Sequence, residues 1–465
     1  MALSSDVLPE AREYERASTT VMEAYVRPVM ARYIRRLAEA LPAPLRVMRS
    51  DGGVMRAARV EREAVQTALS GPAAGVIGAL HIAKLRHMAN IITLDMGGTS
   101  TDVALCPGDL QMRQDAQIDG LPLRIPMIDI ETVGAGGGSI ARVDSGGALQ
   151  VGPQSAGAQP GPACYGRGGT QPTVTDANVV LGRIDPARFL GGRMSIDTDA
   201  ARAALEGLGA QLDMSAEDAA RGVIEIANAN IERAVRRVSV SRGHDPRGFT
   251  LAAFGGAGGL HACDVADCLG IRRVLIPRYP GVLCALGLLL ARIEVSRARS
   301  VMRQIGVESI YTDLESEAQT LLDECAAELK LEQVAPERQT ATVSAEMRYV
   351  GQAYELSVPF DPSGAVLAER FHAAHKAAYG HALTDRACEV VTLRARGYGL
   401  LDAPRFDWQP MTPHDLDGGI YEREALTPGA RFDSPALVAQ MDATTYVPDG
   451  WRAHVDGYGN LFLEK

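Results

Sequence analysis

The amino-acid sequence predicts an α/β fold, and three observations carry that expectation. Two apolar segments each run into a glycine turn, "IITLDMGGTSTDVAL" at 91–105 and "FTLAAFGGAGGLHA" at 249–262. Between and beyond them lie long segments whose apolar residues recur at helical spacing, such as 215–242. Strands alternating with amphipathic helices are the pattern of a sheet covered by helices.

Taken in order, residues 9–41 read as a helix. Val21, Ala24, Tyr25, Val29 and Leu37 fall near helical spacing, and Pro28 is placed to kink it. "LRVMRSDGGVM" (45–55) reads as a hairpin, since Asp51-Gly52-Gly53 supplies turn geometry. In "LSGPAAGVIGALHIAKL" Ser70 is placed to cap a helix and Pro72 to occupy its first turn. Residues 91–108 follow as strand, turn, strand.

From 120 to 192 the composition turns to Gly, Pro, Ala and small polar residues, with spaced Val, Ile and Leu. This reads as a long ordered loop system lining a site. Thr175 or Asp176 opens a helix at its end. The helix over 215–242 carries the stripe Val223, Ile226, Ile231, Ala234, Val235 and Val238. "RRVLIP" reads as a strand and "GVLCALGLLLA" (281–291) as a buried helix.

Beyond residue 300 the spacing gives an amphipathic helix with Leu314, Ala318, Leu321, Leu322, Cys325 and Leu329 on one face. A hairpin around Gly351-Gln352, a helix at 363–379 and the strand "EVVTLRARGYG" follow. The last segment holds short β stretches such as "PALVAQ" and "LFLEK".

Composition narrows the function. The chain has 465 residues, enough for two or three domains, and a formal net charge of -10 with no offsetting basic block. That argues against nucleic acid as a partner. Seven scattered cysteines form no C-x-x-C pair, so reduced, mostly buried thiols are expected. The N-terminal residues lack a secretory pattern, and 281–291, the longest apolar run, is too short for a bilayer. The expectation is a soluble, cytoplasmic protein with no membrane partner.

The octet "DMGGTSTD" (95–102) carries the chemistry. Gly97 and Gly98 let backbone N–H groups approach an anion, and Thr99, Ser100 and Thr101 add hydroxyl donors. Asp95 at the strand end can hold a divalent metal, with Asp102 across the turn; the set suits a metal-complexed polyphosphate. The alternative is a glycine hairpin whose hydroxyls satisfy their own backbone. The P-loop lysine is absent. In the second turn Gly255, Gly256, Gly258 and Gly259 could admit a flat ring or a phosphate near a helix N-terminus. G-x-G-x-x-G does not match there.

With "EYERASTTVMEAYVRP", "SDGGVM", "SGPAAGV", "LDMGGTSTDVAL", "GAGGGSIARVD", "GPACYGRGG", "TVTDANVVLGR", "SRGHDPRGFTLAAFGGAGGLHA" and "MRYVGQAYEL" in this order, the chain resembles the hydantoinase/oxoprolinase family, specifically its hydantoinase A type subunit. It is also similar to a subunit of acetone and acetophenone carboxylases. The resemblance implies an actin/hexokinase/Hsp70-like ATPase core of two ribonuclease-H-like lobes around ATP, with a C-terminal α+β accessory region.

Mapped onto this chain, residues 1–300 would be the ATPase-like core, 301–400 a small α/β domain and 401–465 a β-rich segment. Asp95, Thr99 and Asp102 would be catalytic, with Asp95 on Mg2+ or Mn2+. Gly97, Gly98, Ser100 and Thr101 would grip phosphate, and Gly255, Gly256, Gly258 and Gly259 would border the adenosine. The activity implied is ATP-dependent opening of a cyclic amide such as 5-oxoproline or a hydantoin, through phosphorylation of the carbonyl oxygen. A hydantoinase B-type subunit is the implied partner.

Relatives usually begin with another domain bearing a first phosphate turn, and this chain has only one such octet. A separate polypeptide for that lobe, or a silent truncated fragment, are the expectations that follow. An ATP-binding subunit of a ketone carboxylase is the rival activity. Gly259 stands where relatives commonly have proline.

Other candidates read mainly as structural. Cys164, His261, Cys263 and Cys268 fit no nucleophile–base or zinc spacing. His244 reads as a turn residue, and His372, His375 and His381 as helix-surface residues. Asp176 is either a cap or a cleft-facing group, and Arg142 and Asp144 are substrate-contact candidates without an assigned mechanism.

Overall fold

The structure is a computed structural model that describes every residue except 11, 119, 306–308 and 418, with the side chains of 309–312 also outside the description. The chain forms two compact units, each assembled from three stretches. The first comprises Met1–Ser70, Met112–Met127 and Ala291–Ala403; the second comprises Gly71–Gln111, Ile128–Leu290 and Pro404–Lys465. Boundaries near 300 and 400 therefore do not delimit these units. Strand pairing is the reason: Ile293–Gln304 pairs along Cys388–Gly399 and also meets Val54 of the early hairpin, so distant stretches share one sheet.

In the first unit that sheet runs 46–48, 54–56, 293–304, 388–399, 339–349, 356–359 in spatial order. The helix Ser309–Leu331 buries Leu314, Ala318, Leu321, Cys325 and Leu329 of the stripe its spacing predicts, while Leu322 is half-buried. Helix Glu13–Ala40 continues through Pro28. It buries Thr19, Glu23 and Ile34 on one face, while Tyr14, Val21, Tyr25, Val29 and Tyr33 are exposed on the other. Glu23 is buried because its carboxylate accepts the N–H groups of Ala64 and Val65 and the Arg27 guanidinium. The expected hairpin closes at 49–53, where Asp51 accepts from the Gly53 N–H and from buried Arg49.

The second unit is built on a nine-stranded sheet. One end of it is formed by Asn90–Met96, Thr101–Pro107, Ile130–Val133, Thr250–Phe254 and Arg273–Ile276, which stand in the order third, second, first, fourth, fifth. The first, fourth and fifth are parallel, and the second is antiparallel to the first. This is the ribonuclease-H-like arrangement the family resemblance implies. Successive side chains alternate faces. Ile92, Leu94, Met96, Leu251 and Ala253 join one core with the helix Ala216–Val238, whereas Ile91, Ala252, Phe254 and Leu275 join another with Ser70–Leu85.

Burial on both faces explains why these strands read as almost unbroken apolar runs. The C-terminal stretch continues the sheet, Leu461–Glu464 pairing antiparallel with Arg273–Ile276. Helix Leu283–Leu290 is less buried than its composition predicts. Only Leu283 and Gly287 are buried, and Leu288 and Leu289 are exposed. Among the described residues no helix is long and apolar enough to cross a membrane.

Candidate functional site

The two glycine turns leave the same end of neighbouring parallel strands, with Phe254 in register with Asp95. Their proximity is closer than strand pairing alone requires. Ala257 donates its N–H to the Met96 carbonyl at 3.0 Å. Gly255 has φ +77°, and a Cβ there would stand 2.5 Å from Asp95 Oδ1 and from the Met96 oxygen. Only glycine fits both constraints.

Across the hairpin Asp95 faces Asp102. Both are half-buried, and among the described residues neither forms an ion pair. Burial pushes the Asp95 carboxyl up to about 6; a hydrogen bond from the Cys284 thiol at 3.5 Å opposes the shift, and the Asp102 charge adds to it. Burial also raises Asp102, against a hydrogen bond from Thr132. Two uncompensated carboxylates in one place favour a cation. No group of three or more metal-ligating side chains exists among the described residues. The pair therefore fits an ion such as Mg2+, which takes one or two carboxylates and completes its shell with phosphate oxygens and water.

Among the described residues the turn closes on itself through one backbone hydrogen bond, from the Gly97 N–H to the Ser100 carbonyl at 3.1 Å. The N–H groups of Gly98, Thr99 and Ser100 and the hydroxyls of Thr99 and Ser100 find no acceptor among the described residues. Gly98 and Thr99 are exposed and Ser100 half-buried. Thr101 differs: it is fully buried and its hydroxyl donates to the Ala135 carbonyl. The self-satisfying alternative thus holds for Thr101, which has no group left for a phosphate, and fails for its two neighbours.

A third glycine element, absent from the residue-level assignments made on the sequence, braces this turn. Gly137 donates to the Gly97 carbonyl at 3.0 Å and Gly138 to the Gly98 carbonyl at 2.6 Å. A Cβ on Gly136 would lie 2.7 Å from the backbone of Gly98 and Thr99. Thr175 holds the loop in turn, its hydroxyl donating to the Gly137 carbonyl at 2.8 Å. The signal available in the sequence was the triple glycine at 136–138.

A cavity of about 200 Å³ opens beside these turns, lined by Gly97, Gly98, Gly256, Tyr165, Phe189 and Asp442 among others. Gly258 and Gly259 are buried in the first turn of the helix Gly258–Leu269 and do not line it. Gly259 has a packing role instead: a Cβ would come 2.6 Å from Thr445 Oγ1 and 2.8 Å from the Thr444 oxygen. A larger cavity of about 550 Å³ lies in the first unit. Ion pairs cross its lining, as in Arg124 with Glu10 and Arg59 with Glu63.

The remaining candidates resolve as structural. Asp176 is fully buried and accepts from Thr173, Ala163 and Cys164; it completes a capping box whose N-cap is Thr173. Cys164 is buried, and burial raises its thiol far above the range of a reactive thiolate. His261 sits between Asn228 and Asn178, and burial pushes it down to about 3, so it stays neutral. His244 packs edge-on against Phe249. His375 is buried rather than at the surface, packed against Tyr349, Phe371 and His381, and His372 bonds the Tyr349 hydroxyl. Asp144 closes its own turn onto Gly146 and Ala148, and Arg142 bonds Gln154.

A ribonuclease-H-like sheet whose first hairpin presents free backbone donors and an acid pair defines an α/β fold of the actin/Hsp70-ATPase-like type. The chain belongs to the hydantoinase/oxoprolinase family, whose profile matches residues 16–297. It is 36% identical to the caprolactamase alpha subunit of Pseudomonas jessenii, over 97% of this chain and 70% of that one. It is 30% identical to the acetone carboxylase beta subunit of Xanthobacter autotrophicus, over 99% and 70% of the respective chains. The crystal structure of the ATP-dependent caprolactamase of Pseudomonas jessenii superposes with a TM-score of 0.84 at 34% identity, covering 100% of this chain and 72% of the other. Membership places the protein among ATP-using enzymes that work in multi-subunit systems.

Proposed function

We propose that this chain is the ATP-binding subunit of an enzyme that opens a cyclic amide, of the 5-oxoproline or hydantoin type, by phosphorylating its carbonyl oxygen. The observation that carries the reading is the turn 98–100, with three backbone N–H groups and two hydroxyls unanswered beside an unpaired acid pair. Such a constellation leaves donors open to a polyanion and carboxylates open to its metal.

In this reading Gly98, Thr99 and Ser100 hold the terminal phosphate through their N–H groups and hydroxyls. Asp95 ligates Mg2+ or Mn2+, and Asp102 supplies the second carboxylate. The metal, when bound, neutralises phosphate charge. The glycine loop 136–138 fixes the turn, so that the chain's contribution is alignment and charge neutralisation. Transfer of the terminal phosphoryl group to the amide oxygen breaks the bond to the diphosphate and makes the ring carbon open to water. A hydantoinase B-type subunit is the proposed partner for that hydrolytic half. The subunit character of the caprolactamase and acetone carboxylase relatives supports a hetero-oligomer.

The match to the acetone carboxylase subunit, equally long, supports a second reading in which a ketone oxygen is activated. ATP turnover by the assembled complex separates the two. Stimulation by lactams, 5-oxoproline or hydantoins is expected under the first reading, and by ketones with bicarbonate under the second. Calorimetry with Mg·ATP tests the site: Asp95→Ala is expected to bind at least about tenfold more weakly, as loss of a charged contact predicts. Equal heats for wild type and variant would remove the assignment.

A further inference from the structure

The helix Glu13–Ala40 of the first unit carries a run of apolar residues on the side away from the core. Tyr14, Val21, Tyr25, Val29 and Tyr33 are 59–83% exposed, and Ala17, Ala24 and Pro28 are exposed among them. These positions recur at intervals of three and four, so they share one side of the helix in a stripe about 28 Å long. A surface helix ordinarily buries such a stripe and turns its charges to water. Single apolar residues on a surface are ordinary, but a continuous stripe marks a binding face. Its tyrosines fit that role, since aromatic side chains are enriched at protein interfaces.

The two ends of the stripe carry opposite charge. Glu13 and Glu15 flank its start beside Tyr14, whereas Arg32, Arg35 and Arg36 surround its end, with Glu39 a turn further on. Among the described residues Glu13 and Arg36 form no ion pair, and Arg32 donates only to the Pro28 carbonyl of its own helix. Glu15 meets Arg12 at 3.8 Å, and Arg35 pairs with Glu61. Such a face is complementary to itself. Two copies laid parallel would set like charges together, whereas antiparallel copies bring the acids of each to the arginines of the other.

We propose that a second copy of this chain covers this face, the two helices lying antiparallel about a two-fold axis beside Ala24 and Tyr25. Every contact is then made twice, as a two-fold interface requires. Alignment on that axis sets Val21 opposite Pro28 and the Glu13 end opposite the Arg36 end. The inference does not depend on the nucleotide reading, and either can fail without the other. One helix face per copy is at the small end of specific interfaces, so a dissociation constant in the micromolar range is expected. Well below that concentration the copies separate and the face is bare.

Sedimentation velocity of the full chain across that range is expected to show monomer converting to dimer as concentration rises. Tyr25→Asp places a charge beside the axis at an exposed position. It should weaken association at least about tenfold and keep the circular dichroism of the wild type. Charge reversal is the sharper test. Chains carrying Glu13→Lys with Glu15→Lys, or Arg32→Glu with Arg36→Glu, should each stay monomeric, because like charges then meet at both ends. An equimolar mixture of the two should dimerise.

A wild type that is monomeric throughout, a dimer that Tyr25→Asp leaves intact, or a mixture that stays monomeric would each overturn the inference. So would a chain that is monomeric alone and whose Tyr25→Asp variant no longer binds its partner subunit, a result that assigns the face to that subunit.

Discussion

Asp95 shows what a single side chain can carry. Its carboxyl is raised to about 6 by burial, from 3.8 in an open chain. The folded state therefore holds its proton more tightly than the unfolded state. Stability from this group is present below about pH 4 and lost as pH rises through about 6. With a chelator present, Asp95→Asn is expected to be more stable than wild type at pH 7.5, by up to about 3 kcal/mol, and no more stable at pH 4. Thermal unfolding across that range checks it. Metal affinity runs the other way: Mg·ATP binding by wild type is expected to weaken on acidification as the carboxylate is neutralised, which calorimetry at several pH values would show. A half-buried, unpaired acid thus lowers apo stability, and in the proposed function it serves as a ligand for the metal.

The roles of the neighbouring hydroxyls were less legible. Thr99, Ser100 and Thr101 are equivalent in the sequence, yet only Thr101 is buried against the Ala135 carbonyl. Which hydroxyl faces outward depends on the path of the loop at 134–138, tens of residues away in the chain.

At the level of elements, that glycine loop is the clearest case of a function hidden by composition. A Gly-rich stretch after a strand reads as a loop, but its close packing on the turn at 98–99 exists only in three dimensions. Gly136→Ala would place a methyl group 2.7 Å from backbone atoms that cannot swing aside. The expected outcome is a loss of about 1–3 kcal/mol by overpacking and a weakened Mg·ATP heat, measured by denaturant titration and calorimetry. The helix Glu13–Ala40 offers a contrast within one element. Ile34 is 3% exposed and Tyr25 is 83% exposed. Ile34→Ala should cost about 2–5 kcal/mol and Tyr25→Ala less than about 0.5 kcal/mol, although both are large apolar residues at helical spacing. Equal costs would show that the outer face is covered in solution. Helix Leu283–Leu290 teaches the same lesson, since its composition is apolar all round and burial reaches only part of it.

Across the whole molecule, the order of elements along the chain is a poor guide to what folds together. The sheet of the first unit takes strands from 46–56, 293–304 and 339–399. Its central pairing joins Ile293–Gln304 to Cys388–Gly399. A fragment of residues 301–400 lacks most of that strand and both early ones, so it should remain unfolded by circular dichroism; a cooperative, stable fragment would contradict the shared sheet.

Local patterning settled most of the elements: the octet hairpin, the second strand–turn–helix, the capped helix from Ser215 and the amphipathic stripe from Leu314 are all short-range matters of periodicity, turn residues and caps. The sequence by itself also determined the family, and it singled out the turn at 95–102 for which phosphate binding is proposed. Only the tertiary structure decided which stretches form a unit, which hydroxyls remain free, that Gly259 serves packing, and that Asp442 from the far C-terminal segment meets the glycine turns. Those depend on contacts between residues tens to hundreds of positions apart, and no local periodicity encodes such a meeting.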